Sequence, residues 1–205
     1  MRVRPVTTAV LVEELAERVA AGPPRRLAVA VDGAEAAEPW VLAQRLVDPL
    51  RVRGRAALHV RAQDFLLPAS LRLEHGRTNP DSFYERWLDI AGLRREVLDR
   101  LPTGRVLPSL WDAVADRATR ASYVPVPEGG VVLVSGALLL GGPLRFDLAV
   151  HLWLSPAALA RRTVAARRWT LPAYDRYAAE VVPQRVADVV VRVDDPRRPA
   201  VVEAW

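Results

Sequence analysis

Five short apolar runs recur along this chain: RLAVAVD (26–32), AALHVRA (56–62), VVLVSGALLL (131–140), DLAVHLWL (147–154) and ADVVVRVD (187–194). Their apolar residues follow one another directly instead of alternating with polar ones, which is the pattern of a strand covered on both faces. Such strands need helices above and below them, and helical patterns separate the runs. Residues 7–21 predict a helix capped by Thr7 or Thr8 and ended by Gly22-Pro23-Pro24. Residues 40–53 predict a second, which Pro49 should bend or shorten. Residues 80–101 read as a third, with Asp81 or Ser82 as cap, and Ser155-Pro156 opens a fourth. Strands alternating with helices imply right-handed βαβ crossovers. The expected class is α/β, a three-layer αβα fold with a mostly parallel central sheet. No repeat or linker interrupts it, so one domain is expected over 1–205, with 1–24 supplying an N-terminal amphipathic helix.

Composition removes several functions. At 205 residues the chain can bury a substantial core. No apolar run approaches the roughly 20 residues that cross a bilayer, so no membrane association is expected. Glu13, Glu14 and Glu17 interrupt the apolar pattern of the N-terminal segment, which argues for a helix over a secretory signal and makes cytoplasm the expected compartment. The absence of cysteine excludes disulfides and thiolate metal sites. Lysine is absent too: all 29 basic residues are arginine, as GC-rich coding produces. No lysine ammonium can therefore meet a phosphate, and no lysine Schiff base can form. The formal charge of +5 is modest and spread along the chain, so nucleic acid is not an expected partner.

In open parallel sheets, ligands bind beyond the carboxyl ends of the strands. Those ends carry Asp32-Gly33, Asp64-Phe65 and Ser135-Gly136. A carboxylate there serves as general base, metal ligand or helix cap. Asp32 and Asp64 are expected on neighbouring strands, with Asp32 the candidate metal ligand. The stretch AVAVDGAEAAEPW (28–40) has the strand, turn and helix of a phosphate loop, G-x-x-x-x-G-K-[ST]. Counted from Gly33, the second glycine falls on Glu38, the lysine on Pro39 and the hydroxyl residue on Trp40. Residues 107–120 cluster Asp112, Asp116 and Arg117, which read as a site or as a solvated loop with local salt bridges. Residues 159–180 concentrate Arg161, Arg162, Arg167, Arg168 and Arg176, either a wet helix face or a set of forks for phosphate oxygens. His59, His75 and His151 have no metal-like spacing and are expected in packing roles. Trp87, Trp111, Trp153 and Trp169 are expected to line the core or a cleft, and Trp111 and Trp169 are candidates for stacking on a base.

Six segments in order carry a resemblance: QDF (63–65), GRTNPDSFYERWLD (76–89), WDAVADR (111–117), SG (135–136), RRWT (167–170) and PAYDRY (172–177). Together with the loop, they make residues 25–198 resemble the actinobacterial uridine kinase-like branch of the P-loop nucleoside kinases. The resemblance implies a P-loop NTPase-like fold. It implies Asp64 as the base that accepts a nucleoside 5′-hydroxyl proton, Asp112 and Arg117 toward the acceptor, and Arg162, Arg167 and Arg168 as a lid over the transferred phosphate. The departures fall on phosphate and metal. Glu38 sets a negative charge against phosphate, Pro39 removes an N–H along with the lysine, and Trp40 replaces the hydroxyl that holds Mg²⁺. Ser135 stands where the family carries an acidic residue. Phosphoryl transfer rests on positioning and charge stabilisation, so Mg-ATP or Mg-GTP is expected only if the donor site works. Three functions follow: a nucleoside- or nucleotide-binding pseudokinase; an active nucleoside kinase with an arginine-based donor site; or a non-catalytic domain that binds a protein partner or a second copy of itself.

Overall fold

The computed structural model describes residues 2–204. Seven strands form one sheet: β1 (Arg2–Pro5), β2 (Leu27–Gly33), β3 (Ala57–Arg61), β4 (Val131–Gly136), β5 (Leu148–Trp153), β6 (Val189–Arg192) and β7 (Ala200–Ala204). Across the sheet they lie in the order β1-β7-β6-β5-β2-β4-β3. The run from β6 to β3 is parallel, β7 pairs antiparallel with β6, and β1 pairs antiparallel with β7. The longer helices are α1 (Thr8–Ala20), α2 (Pro39–Val52), α3 (Pro80–Arg86), α4 (Pro156–Arg162) and α5 (Leu171–Glu180).

The apolar runs are continuous because both faces of the sheet are covered. Leu27, Val29 and Val31 of β2 pack with Leu11 and Leu15 of α1 and with Leu46 and Leu50 of α2. Ala28 and Ala30 face the opposite core, with Phe65, Leu93 and Val97. Full burial of a side chain of this size contributes about 1.5–3 kcal/mol, so these two cores fix the three layers. Two caps follow the sequence reading. Thr7 accepts the Val10 N–H at 3.2 Å, and Ser155 accepts that of Ala158 ahead of a helix begun by Pro156.

Several expectations are corrected. Pro49 does not shorten α2, which continues to Val52. The backbone bond that proline removes is outweighed by the buried residues around it, Leu46, Val47 and Leu50. Residues 80–101 are not one helix. Asn79, not Asp81 or Ser82, caps α3, and a break at Trp87-Leu88 lets Leu88 bridge to Leu66. Asp89 then caps a new turn through the Gly92 N–H. β6 is not the last strand, and the N-terminal segment is not all helix, because β1 and β7 extend the sheet by two antiparallel members. Asp32 and Asp64 do not stem from neighbouring strands. β4 lies between β2 and β3 and pairs with both, so the two strand ends stand two strand spacings apart, roughly 10 Å.

Candidate functional site

The carboxyl end of β2 delivers Asp32 and then the loop that enters α2. Asp32 is completely buried. Its Oδ1 accepts the Leu139 N–H at 2.9 Å, and its Oδ2 lies 2.7 Å from His151 Nδ1 and accepts the Tyr177 hydroxyl at 3.1 Å. Tyr177 in turn accepts the Leu140 N–H at 3.0 Å. Burial, with the Asp32 charge beside it, pushes the Tyr177 phenol well above its usual range. The carboxylate thus ties β2 to β5, α5 and the turn after β4, and each of its oxygens is engaged by protein.

The loop after β2 joins the strand to α2 through a short turn. Glu38, at the second glycine position, has φ 55° and ψ 51°, the left-handed conformation that favours glycine. A short 3₁₀ turn at Glu35–Ala37 uses the amides that a phosphate loop aims at phosphate: Ala37 N–H donates to Ala34 O and Glu38 N–H to Glu35 O. The Glu35 N–H donates to the Tyr174 hydroxyl at 3.3 Å, and burial pushes that phenol up to about 12. Gly33 retains a packing role, since a Cβ there would meet the Leu152 Cβ and carbonyl at 3.0 Å.

Beside the loop is a pocket of about 100 Å³, lined among others by Trp40, Arg61, Phe83, Trp87, Ser135 and Arg167. Phe83 meets Trp87 and Trp169 edge to face and the two indoles are tilted against each other, with centroids 5.3–5.7 Å apart. The Arg167 guanidinium lies over all three rings at 5.3–5.5 Å, and its Nε donates to Glu35 Oε2 at 3.0 Å. The Trp87 Nε1 is buried without a hydrogen-bond partner among the described residues. A second cavity of about 360 Å³ lies between the loop and residues 162–170, with Glu35, Glu38, Arg162 and Arg167 in its wall. Arg162 is engaged there too, donating to the Val193 carbonyl at 2.6 Å. Arg168 is exposed.

Asp64 follows β3 in a 3₁₀ turn, Ala62–Phe65. Burial holds its carboxyl above the usual range, with Arg61 opposing and Asp112 reinforcing the shift. Asp112 and Arg117 sit in a two-rung hairpin, Trp111–Asp112 paired with Arg117–Ala118. The amides of Ala115 and Val114 hold the Asp112 carboxyl below its usual range. Arg117 is exposed, and the Trp111 Nε1 donates to Asp116. Among the described residues, neither Asp64, Asp112, Arg117 nor Trp111 lines the aromatic pocket, whereas Gly33, Pro39, Trp40 and Arg167 do.

At the end of β4, Ser135 Oγ lies 2.8 Å from His59 Nε2, and His59 Nδ1 lies 3.2 Å from the Gln44 carbonyl oxygen. Burial, helped by the Arg61 charge, lowers the His59 imidazole from 6.5 to about 4. The unfolded chain therefore binds more protons between those two values, and stability is lost as pH falls through that window. Thermal melts from pH 7.5 to 4.5 should show the midpoint fall below about pH 6.5, and His59→Gln should flatten that slope. Equal slopes in the two proteins would contradict the assignment. Nothing in the linear sequence marks this chain of residues, because 44, 59 and 135 meet only through the strand order. Phe83, Tyr84 and Tyr174 lie in segments the sequence reading quoted, and their aromatic character was the available signal.

The chain is similar in structure to several solved kinases. A protein from Bacillus stearothermophilus, assigned as a possible uridine kinase, superposes with a TM-score of 0.74 at 20% identity, over 89% of this chain and 97% of the other. One from Silicibacter sp. TM1040, assigned as a fructose transport system kinase, gives 0.60 at 24% identity, over 90% and 98%. D-glycerate 3-kinase from Cryptococcus neoformans gives 0.51 at 15% identity, over 83% and 80%. No protein-family model matches the chain, and no curated protein matches its sequence. The fold is that of the P-loop kinases, three layers around a mostly parallel sheet. Among the described residues no helix is long and apolar enough to cross a membrane.

Proposed function

We propose that this chain is a uridine kinase-like protein whose phosphate loop is degenerate, a pseudokinase that binds a nucleoside in its aromatic pocket without ordinary phosphoryl transfer. The observation that carries this reading is the loop. Its Glu35, Ala37 and Glu38 amides are already donated within the protein, Pro39 has none, and Glu35 and Glu38 bring carboxylates to the donor cavity. Mg-ATP and Mg-GTP do not fit these residues. No lysine faces the phosphates, and Trp40 replaces the hydroxyl. The oxygens of Asp32 are engaged by Leu139, His151 and Tyr177, while Ser135 is engaged by His59. An arginine-based donor site would draw on Arg162 and Arg167, whose guanidinium groups each make one hydrogen bond within the protein, to Val193 and to Glu35, with Arg167 also over the ring cluster.

The acceptor side is better supplied. Phe83, Trp87 and Trp40 offer apolar ring faces, and Gln63 and Arg61 line the same pocket with hydrogen-bonding groups. A planar, uncharged base suits such a lining. Asp64, the base that the kinase resemblance implies, stands outside the lining of this pocket, in keeping with binding without transfer. Tryptophan fluorescence, reporting Trp87 and Trp169, should respond saturably to uridine or cytidine with a Kd on the order of 10–100 μM. A coupled assay on the same samples should detect no ADP. ADP release would refute the pseudokinase. A flat response to both nucleosides would refute the pocket assignment in favour of an interaction domain.

A further inference from the structure

We propose that Ser135, His59 and Gln44 form a reactive serine site that accepts acyl groups from small ring-bearing esters. The three residues come from three elements, β4, β3 and α2, and meet on one side of the sheet. The Gln44 carbonyl accepts the Nδ1–H of His59, which fixes the tautomer with a bare Nε2. Ser135 Oγ–H then donates to that nitrogen at 2.8 Å, within the range required of a nucleophile and its base. Ser135 is only 2% exposed, yet it forms part of the wall of the aromatic pocket, so a ligand seated on Phe83 and Trp87 would meet it. Arg61 pairs in register with Ser135 on the adjacent strand and lines the same pocket; one of its Nη atoms donates to Gln63, and its remaining N–H groups would be the donors for a developing oxyanion. Gly136 follows the serine, and a Cβ there would come within 2.6 Å of the Ala62 Cβ, so the close approach of chain around the site depends on this glycine.

The chemistry needs only water beside the ester. Ser135 Oγ attacks the carbonyl carbon as its proton passes to His59 Nε2. Collapse of the tetrahedral species breaks the bond to the alcohol oxygen, which leaves with the proton from His59. Water then repeats the sequence against the acyl-serine, releasing the acid and restoring the hydroxyl. His59, lowered to about 4, is neutral across the physiological range with its Nε2 lone pair available, and the same shift makes it a weak base that holds the proton only in passing. Arg61 is the charged group facing it, while Gln44 from α2 and Ser135 from β4 are uncharged.

The test is a fluorophosphonate probe, in which Oγ–P bond formation expels fluoride and His59 takes the serine proton. The full chain should take up one label, mapped by peptide mass spectrometry to Ser135, at a rate that is flat from pH 6 to 9. Ser135→Ala should abolish labelling. His59→Gln should slow it by about 100-fold, with circular dichroism showing both variants folded. No label on the unaltered chain, a label elsewhere, or an unchanged rate in His59→Gln would overturn the proposal. The labelling needs neither nucleotide nor nucleoside, so its failure leaves the pseudokinase reading untouched, and the reverse also holds.

Discussion

Asp32→Ala should lower stability by about 3–5 kcal/mol, because it removes a fully buried carboxylate that is the hydrogen-bond partner of three groups. For a chain of this size that corresponds to a fall in melting temperature of roughly 6–20 °C. The carboxylate is fully buried, and its removal orphans the Leu139 N–H, one His151 nitrogen and the Tyr177 hydroxyl at once. Each orphaned donor costs about 1–3 kcal/mol when no water can reach it. The loss falls on contacts that join the end of β2 to the turn after β4 and to α5, so α5 should loosen along with the sheet. Asp32→Asn, which keeps one acceptor oxygen, should lose less. Melts of the three proteins at pH 7 check this, and an Asp32→Ala protein as stable as its parent would show that the carboxylate is not a structural anchor. A metal role for Asp32 would require these same oxygens to exchange protein donors for a cation.

The second large effect is a gain. The triple substitution Glu38→Gly, Pro39→Lys and Trp40→Thr should bring Mg-ATP binding from a Kd above about 1 mM to about 0.1 mM or tighter, a gain of at least about 1.4 kcal/mol. Residue 38 is already left-handed with glutamate in place, a conformation that glycine adopts without strain. Glycine there removes about 1–2 kcal/mol of left-handed strain, offset in part by the greater freedom of glycine in the unfolded chain. Lysine restores a mobile positive charge, and threonine restores a hydroxyl where an indole now fills the pocket wall. Binding that stays absent in a folded triple variant would mean that the Glu35–Tyr174 and Glu35–Arg167 contacts, not the three substituted positions, close the donor side.

The central strands were legible because RLAVAVD and VVLVSGALLL are buried on both faces, which leaves a continuous apolar imprint on the sequence. β1 and β7 were not. RVRP is short, carries two arginines and forms an edge, so neither burial nor periodicity distinguishes it from a polar leader. The single helix expected over 80–101 failed for a related reason: apolar spacing survives the break at Trp87-Leu88, while the Leu66–Leu88 bridge that causes the break is a long-range contact. At the site, the stretch 33–40 could be compared with a phosphate loop because that motif is contiguous. The Ser135–His59 contact could not, since it depends on β4 being inserted between β2 and β3, which local patterning does not encode.

Calorimetric titration of the unaltered protein with Mg-ATP and Mg-GTP bears most directly on the loop. The structure-based reading predicts no binding heat up to millimolar nucleotide, because the amides and hydroxyl that would grip the phosphates are spent or missing. A saturable isotherm in the micromolar range would contradict it and would show that this loop holds a donor despite Glu38, Pro39 and Trp40.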